Sequence, residues 1–281
     1  MKSLRILVPT DLSEASNKAF QIADEFSKSL KATVTPLYAV TKTRYDGANA
    51  QFEAETDLKN VAEKSIDKNR LGEIIISNQK PVDAIIDNGK DFDLIIMTSH
   101  GKNGFNRFLL GSVTEKVIRL SHAPVLIVKE QMELFPLEKI LLTTDFSDNA
   151  KKSYPLVMEL AKKTGASVHV MFAIVYAATE PATHLEAFVR TKEKQFKADV
   201  ELYFKPIEDR VTFDAPLTKK SAHEYLANHI DEHRYNLVVM STLGHTGLDY
   251  MRMGSTTSNV VRHAQSNVLI TNPMSKLNWS E

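Results

Sequence analysis

The chain contains 281 residues, a length that favours two domains of ordinary size. Its 35 Lys and Arg residues balance 35 Asp and Glu residues, so it lacks the basic excess expected of a protein that binds nucleic acid or a membrane surface. The absence of cysteine excludes disulfides, thiolate nucleophiles and cysteine-based metal centres. The N-terminus has only a short apolar run, and no later run approaches the ~18 residues of a membrane span. A cytoplasmic location is therefore predicted.

Strand and helix patterns alternate along the first half. A near-continuous apolar run at 4–8 is typical of a strand buried on both faces of a parallel sheet. Ser13 is placed to cap the next helix, in which apolar residues recur at helical spacing up to about Leu30. The remaining predicted elements are, in order, a strand at 32–40, a helix at 52–66, a strand at 73–77, a helix opened by Pro81, a strand at 94–98, a helix at 112–120 and a strand at 124–128. This alternation predicts a parallel sheet with helices on both faces.

The second half repeats the first. The segment Arg-Ile-Leu-Val-Pro-Thr-Asp-Leu-Ser at 5–13 recurs as Lys-Ile-Leu-Leu-Thr-Thr-Asp-Phe-Ser at 139–147. Later anchors follow in the same order: the apolar strands 94–97 and 237–240, the Gly-Ser pairs 111–112 and 254–255, and the closing strands 125–127 and 268–270. The offset grows from 134 to 143, and the extra residues are predicted to lie in a long charged helix at about 183–204. We predict two homologous domains, 1–130 and 137–274, joined by a short linker that contains Pro136.

Two segments of each half are candidates for a ligand site. One is the turn after the first strand, which carries Asp11 or Asp145, and the other is the loop after the fourth strand, which ends in a Gly-Ser pair at the start of a helix. In an open α/β sheet, ligands bind at the carboxyl ends of the strands, where the strand order reverses. Glycine admits a ligand close to the backbone, and the helix N-terminus attracts anions such as phosphate. The pattern therefore predicts an anion site in each half.

These motifs resemble the universal stress protein family. The resemblance rests on the strand followed by Pro-Thr-Asp, the Gly-x9-Gly-Ser loop and the closing Ala-Pro-Val-Leu-Ile-Val strand, and it covers nearly the whole chain. It implies an α/β protein of the tandem type, with two Rossmann-like (adenine nucleotide alpha hydrolase-like) domains, each with a five-stranded parallel sheet. It also implies an intramolecular pseudo-dimer in which strands near 124–129 and 267–272 meet, and it leaves a homodimer open.

The resemblance further implies a site for ATP in each half, with Mg²⁺ accompanying the nucleotide. The residues carried over in the first half are Pro9, Asp11, Ala39, Met97, Thr98, His100, Gly101, Gly111, Ser112 and Val113. Those carried over in the second half are Asp145, Ala173, Ser241, Gly244, Gly254, Ser255 and Thr256. Thr98 and Ser241 stand where the family pattern has its first glycine, and a Cβ there narrows the approach to the ligand. The basic residues that flank the first loop have no basic counterpart in the second apart from His245, so the first site is predicted to be the better anion binder; they are Lys102, Arg107 and Lys116.

Simpler interpretations remain open for each of these residues. The glycines could serve turns with positive φ, the aspartates could close turns or cap helices, and Ser112 and Ser255 could be ordinary N-caps. The favoured function is a stress-response protein that binds ATP as a regulatory ligand. The alternatives are an interaction scaffold without a ligand, a slow ATPase that uses Asp11, and a cleft for another amphipathic ligand such as a lipid or a different nucleotide. No catalytic residue is assigned, because no general base is evident beside the phosphate loop.

Two further groups of side chains are predicted to lie on solvated helix faces. His229 and His233 have the i, i+4 spacing of zinc ligands, but no third ligand is evident. Basic and acidic residues alternate along the charged helix, as is typical of an exposed surface. The residues concerned are Glu186, Lys192, Glu193, Lys194, Lys197 and Asp199.

Overall fold

The structure is a computed structural model that describes residues 4–40, 45, 49–99, 110–129, 132–242 and 253–275. The strands of the first half are β1 (Leu4–Thr10), β2 (Ala32–Ala39), β3 (Ile75–Ser77), β4 (Leu94–Thr98) and β5 (Val125–Val128). Its helices are α1 (Glu14–Leu30), α2 (Ala50–Ser65), α3 (Pro81–Gly89) and α4 (Ser112–Leu120). Strands and helices alternate in the predicted order, and the boundaries differ from prediction by a few residues.

The second half contains the same pattern with additions. Its strands are β6 (Lys139–Thr143), β7 (Ser167–Met171), β8 (Ile174–Val175), β9 (Val211–Asp214), β10 (Leu217–Thr218), β11 (Leu237–Ser241) and β12 (Asn267–Thr271). Its helices are α5 (Asp148–Lys151), α6 (Tyr154–Thr164), α7 (Ala182–Asp199), α8 (Ala222–His233) and α9 (Ser255–His263).

The prediction that the second half simply repeats the first is wrong in three places. The helix after β6 is divided into α5 and α6, and Pro155 lies in the first turn of α6, where its missing N–H costs no helical hydrogen bond. The long helix α7 ends earlier than predicted and continues as a π-helical segment, Val200–Phe204, and a 3₁₀ segment, Lys205–Arg210. Finally, β8 and β10 form a small separate parallel pair.

The main strands form one ten-stranded sheet in the order β3-β2-β1-β4-β5-β12-β11-β6-β7-β9. Within each half the strands are parallel, and the order reverses between β1 and β4 in the first half and between β6 and β11 in the second. These two reversals create two equivalent crevices at the carboxyl ends of the strands.

The two halves join along β5 and β12, which meet as predicted and pair antiparallel. Leu126 faces Leu269 in the centre of this pairing, and both are fully buried. The pairing covers two sheet edges that would otherwise be exposed. Equivalent residues reach across the junction on either side: Lys129 Nζ donates to the carbonyl oxygen of Val261, and Asn272 Nδ2 donates to the carbonyl oxygen of Ile118. The junction therefore has approximate two-fold symmetry.

Hydrophobic cores fill both faces of the sheet and run through both halves. One core packs residues of α1, α2 and α6 against the sheet, and the other packs residues of α3, α4, α8 and α9 against its opposite face. The linker contributes to the first core, because Phe135 packs edge-to-face on Phe26 with ring centroids 5.5 Å apart. Within the described ranges no helix is both long and apolar enough to cross a membrane.

Candidate functional site

The turn after β1 is built by side chains of the Thr-Asp-Leu-Ser motif. Thr10 Oγ1 accepts a hydrogen bond from the Leu12 N–H at 2.9 Å, and Asp11 Oδ1 accepts one from the Ser13 N–H at 3.0 Å. Ser13 then caps α1 by accepting from the Ser16 N–H. Asp11 therefore does close a turn, as the simpler interpretation predicts. The same bonds fix its carboxylate at the carboxyl end of the first strand.

The second half has the same turn, atom for atom. Thr144 Oγ1 accepts from the Phe146 N–H at 2.9 Å, and Asp145 Oδ1 accepts from the Ser147 N–H at 2.9 Å. Ser147 caps the short helix α5 by accepting from the Ala150 N–H. Sequence analysis did not single out the threonine hydroxyls. The signal available for them was the identity of Thr10 and Thr144 in the two copies of the motif.

The turn holds a bulky residue in the left-handed region of backbone conformation. Leu12 has φ 58° and Phe146 has φ 64°, and the two positions are equivalent in the repeat. For a residue other than glycine this conformation costs about 1–2 kcal/mol. Such strain is found most often at ligand sites and switches, where the surrounding structure enforces it. Its presence in both halves marks this turn as a feature of the fold rather than an irregularity of one copy.

Close backbone approach explains the glycines that begin α4 and α9. Gly111 and Gly254 are the N-caps, with φ −62° and −56°, so the interpretation that they need positive φ is wrong. Each N–H instead donates to the carbonyl oxygen of the residue that follows the fourth strand, Ser99 in the first half and Thr242 in the second. A Cβ at Gly111 would lie 3.2 Å from the first of these oxygens, and one at Gly254 would lie 3.0 Å from the second. Glycine therefore fits the close contact between the loop and the strand end better than a residue with a Cβ.

Ser112 and Ser255 are the first residues of their helices and not the N-caps, so that alternative is also wrong. Within the described residues, neither helix has a side-chain hydrogen bond at its N-cap, in contrast to α1 and α8. The backbone N–H groups of the first turn carry the positive end of the helix dipole. The N-termini of α4 and α9 therefore remain suited to an anion.

A threonine that sequence analysis missed ties each of these helices to the end of the fourth strand. Thr114 Oγ1 donates to the carbonyl oxygen of Thr98 at 3.3 Å, and Thr257 Oγ1 donates to that of Ser241 at 2.7 Å. Both threonines are buried. Their identity at the same repeat position was the signal that could have found them. They hold the helix N-terminus beside the strand end.

The other predicted residues that the structure describes lie at the carboxyl ends of the strands or in the first turns of α4 and α9. In the first half, Pro9 is buried in β1, Ala39 ends β2, Met97 and Thr98 end β4, and Val113 packs against the core from α4. In the second half, Ala173 follows β7, Ser241 ends β11, and Thr256 lies in α9. Because β1 pairs with β4, and β6 with β11, the two loops of each half leave adjacent strands. His100, Gly101 and Gly244 lie outside the described residues, as do Lys102, Arg107 and His245.

The prediction that Lys192 lies on a solvated surface is wrong. Its side chain is buried, and Nζ lies 5.1, 5.0 and 5.2 Å from the ring centroids of Phe146, Phe172 and Phe188. Gln195 Oε1 accepts a hydrogen bond from Nζ at 3.0 Å. Burial lowers the pKa of Lys192, while the charge of Asp145 acts in the opposite direction. We call this arrangement of three phenylalanine rings around Lys192 the lysine cage.

Asp199 was also predicted to be exposed and is buried. Its Oδ1 lies 2.6 Å from Lys151 Nζ, so the last residue of α7 is paired with the last residue of α5. This ion pair holds the end of α7 against the helix that follows the Asp145 turn. The pair contributes mainly by satisfying the buried carboxylate of Asp199, which would be costly alone, since Lys151 is only partly buried.

His229 belongs to a partly buried cluster and not to a solvated face, so that prediction is wrong as well. Its Nε2 lies 3.0 Å from the Tyr235 hydroxyl, which also contacts Nδ1 of His169. Nε2 of His169 lies 2.9 Å from Asp214 Oδ2. Burial, together with the nearby charges of His233 and His169, lowers the pKa of His229 to about 4. Across the described part of the chain, no three His, Cys, Asp or Glu side chains are arranged to hold a metal ion.

Comparison with known proteins gives a consistent result. A model described as the universal stress protein family matches the chain twice, at residues 3–129 and 136–272. Universal stress protein MJ0531 of Methanocaldococcus jannaschii is 33% identical over 139 residues, which covers 45% of this chain and 82% of that protein. Universal stress protein MJ0577 of the same organism is 35% identical over 156 residues, covering 45% of this chain and 95% of its own length. The crystal structure of a universal stress protein from Archaeoglobus fulgidus DSM 4304 covers 97% of this chain and 99% of its own, with a TM-score of 0.65 and 20% identity.

Proposed function

The chain belongs to the universal stress protein family, and from that premise we propose that it binds an adenine nucleotide, ATP with Mg²⁺, as a regulatory ligand in a stress response. The observation that carries the proposal is the placement of the Asp11 turn and the N-terminus of α4 on the adjacent strands β1 and β4. One segment offers a fixed carboxylate and the other an anion-binding helix end.

The chemistry of the two segments fits the two ends of a nucleotide. A carboxylate accepts hydrogen bonds, so Asp11 suits the exocyclic amino group of adenine, with the backbone at Ala39 beside it. The first turn of α4 suits phosphate oxygens, because its N–H groups and dipole favour negative charge. Gly111 leaves the space that a Cβ would fill next to the Ser99 carbonyl group. Mg²⁺ in such a site is held chiefly by the phosphates.

Charge favours the first half over the second as the nucleotide site. Lys116 lies on an exposed face of α4, whereas the equivalent Asn259 lies on α9 and donates its Nδ2 to the Ser255 carbonyl oxygen at 2.8 Å. A lysine near the phosphates strengthens anion binding as a point charge. In the second half, the lysine cage includes Phe146, the residue that follows Asp145.

Titration calorimetry with Mg-ATP on the full chain tests the proposal. Gly111→Glu places a carboxylate at the N-terminus of α4, and we expect it to abolish measurable binding, since like charges repel the phosphates. Gly111→Ala is the matched control for the added Cβ and should weaken binding far less. Gly254→Glu makes the same change in the second half and should leave the affinity unchanged.

Three results would contradict the proposal. If wild type gives no heat with millimolar Mg-ATP and retains no nucleotide in native mass spectrometry, the protein is better described as a scaffold. If Gly111→Glu binds as wild type does, the nucleotide lies elsewhere. If phosphate is released steadily by wild type and not by Asp11→Ala, the ligand is a substrate rather than a regulator.

A further inference from the structure

We propose that Lys192 is a specificity-determining residue of the second half, where its ammonium group occupies the position of a nucleotide base, so that the intact chain binds one nucleotide rather than two. This inference rests on the proposed function, because it concerns the same kind of site. It goes beyond charge complementarity at the phosphate end, since it locates the difference between the two halves at the base end.

The lysine cage includes the sequence neighbours of two residues at the proposed base position. Phe146 directly follows Asp145, and Phe172 directly precedes Ala173. Under the proposed function, Asp145 and Ala173 are the two residues of the second half that a base would contact. Lys192 Nζ lies 5.1 Å from the Phe146 ring centroid and 5.0 Å from the Phe172 ring centroid. The ammonium group therefore lies where a planar base would have to insert.

The surroundings of the Lys192 ammonium group suit a cation. The three rings present their electron-rich faces within the distance at which a cation is attracted to an aromatic ring. The remaining hydrogen-bonding capacity of Nζ is met in part by Gln195 Oε1 at 3.0 Å. Asp145 also supplies negative charge, which Lys192 already uses. A base entering this position would have to displace the cation from the rings and compete for the same carboxylate.

Two further contacts hold α7, the helix that contains Lys192, in place. The ion pair between Asp199 and Lys151 fixes the C-terminal end of α7 to α5. Phe196, between Lys192 and that anchor, stacks on Phe213 of β9 with ring centroids 4.8 Å apart. Withdrawal of Lys192 therefore requires either a rotamer change towards solvent or movement of a helix anchored at two further points.

The first half has different residues at the equivalent positions, which provides an internal comparison. Leu12 replaces Phe146, and Tyr38 replaces Phe172. Tyr38 packs edge-on against Tyr45, whose hydroxyl group donates to Asp57 of α2 at 2.6 Å. Helix α2 is thus hydrogen-bonded to Tyr45, whose ring packs on Tyr38 of β2, and a tyrosine takes the place of one ring of the lysine cage.

The number of nucleotides bound by the full chain tests the inference. We expect native mass spectrometry and calorimetry with Mg-ATP to give one nucleotide for wild type and two for Lys192→Ala. Lys192→Arg retains the cation over the rings and should stay at one. Lys194→Ala, which removes an exposed lysine from the same helix, is the matched control and should also stay at one.

Each outcome separates this inference from the proposed function. Two nucleotides on wild type, or one on both wild type and Lys192→Ala, overturns the inference and leaves the first site in place. No nucleotide on wild type and one on Lys192→Ala supports the inference but refutes binding by the first half. No nucleotide on either protein refutes both.

A second measurement on wild type does not depend on the folding of a variant. Acetylation of lysines by a dilute anhydride at about pH 11, where lysine amines are largely deprotonated, reports the accessibility of each amine when followed by peptide mass spectrometry. We expect Lys192 to react at least about tenfold more slowly than Lys194, because its amine is enclosed by aromatic rings. Equal rates for the two residues would overturn the inference.

Discussion

Lys129 offers a direct test of how the two halves are joined. It lies at the junction, where Nζ donates to the carbonyl oxygen of Val261 in the last turn of α9. Its partner across the approximate two-fold axis is Asn272, which is neutral. Burial lowers the pKa of Lys129 from 10.5 to about 8. Replacement by methionine, Lys129→Met, removes the charge and keeps an unbranched side chain of similar length.

The sign and size of the effect follow from the lowered pKa. Between pH 8 and 10.5 the unfolded chain holds the proton and the folded chain does not, so the free energy of unfolding rises with pH in this window. Below it both states are protonated, and the cost of the buried charge is fully present. A change of about 2.5 pH units corresponds to about 3.4 kcal/mol. The carbonyl group near the helix C-terminus favours the charged amine, so we expect a rise of about 2–3 kcal/mol.

Urea unfolding of wild type and Lys129→Met from pH 7 to pH 10.5 measures this rise. At pH 7 the variant should be more stable by about 1–2 kcal/mol, the relief of the buried charge less about 1 kcal/mol for the lost hydrogen bond. By pH 10.5 the advantage should have turned into a deficit of about 1 kcal/mol, the value of the lost hydrogen bond. The difference between the two proteins cancels the titration of all other groups. Lys68→Met, at an exposed lysine, should show no such trend. A stability difference between wild type and Lys129→Met that stays constant across the range would refute the reasoning.

Two further predictions concern the second-half histidine cluster and the first-half turn. His229→Ile introduces the residue of the equivalent position, Ile86. Because the folded pKa of His229 is about 4 and the unfolded value 6.5, stability falls as pH drops through that window. Urea titrations at pH 4.5 and 7 measure this decrease in the free energy of unfolding. After allowance for partial exposure, it should be smaller in the variant than in wild type by about 1–2 kcal/mol. An equal decrease in both proteins would contradict this. Asp11→Asn keeps an oxygen for the Ser13 N–H, so its melting temperature should match wild type, while calorimetry should show about tenfold weaker ATP binding from the lost charge-assisted bond. A lower melting temperature with full affinity would mean that Asp11 serves the turn alone.

Much of the fold was predictable because its signals are local and occur twice. The buried strands are recognisable as apolar runs, as at 4–8 and 237–240, because a strand covered on both faces has no polar side. The Thr-Asp-Leu-Ser motif and its Thr-Asp-Phe-Ser copy predict both the N-cap of the first helix and the position of the carboxylate. The meeting of β5 and β12 was expected from the resemblance to a family of paired units, and the register of Leu126 opposite Leu269 confirms it.

The errors all concern side chains whose surroundings come from distant parts of the chain. Lys192 lies in a helix of alternating charge, and only the packing of that helix over Phe146 and Phe172 buries its ammonium group. His229 looks solvated by helix pattern alone, yet β7 brings His169 to it across 60 residues. Gly111 seemed to need a special backbone angle, whereas its need for glycine comes from the Ser99 carbonyl group on the neighbouring strand end.

The sequence by itself determined the duplicated α/β architecture, the two crevices and the residue types placed at them, because hydrophobic periodicity and turn chemistry act over a few residues. The tertiary structure decided which charges are buried and how the two crevices differ. Burial depends on which helix packs over which strand end, and that contact joins positions such as Asp145 and Lys192 that are far apart along the chain. The two halves therefore share one backbone plan and differ in the electrostatics of their sites.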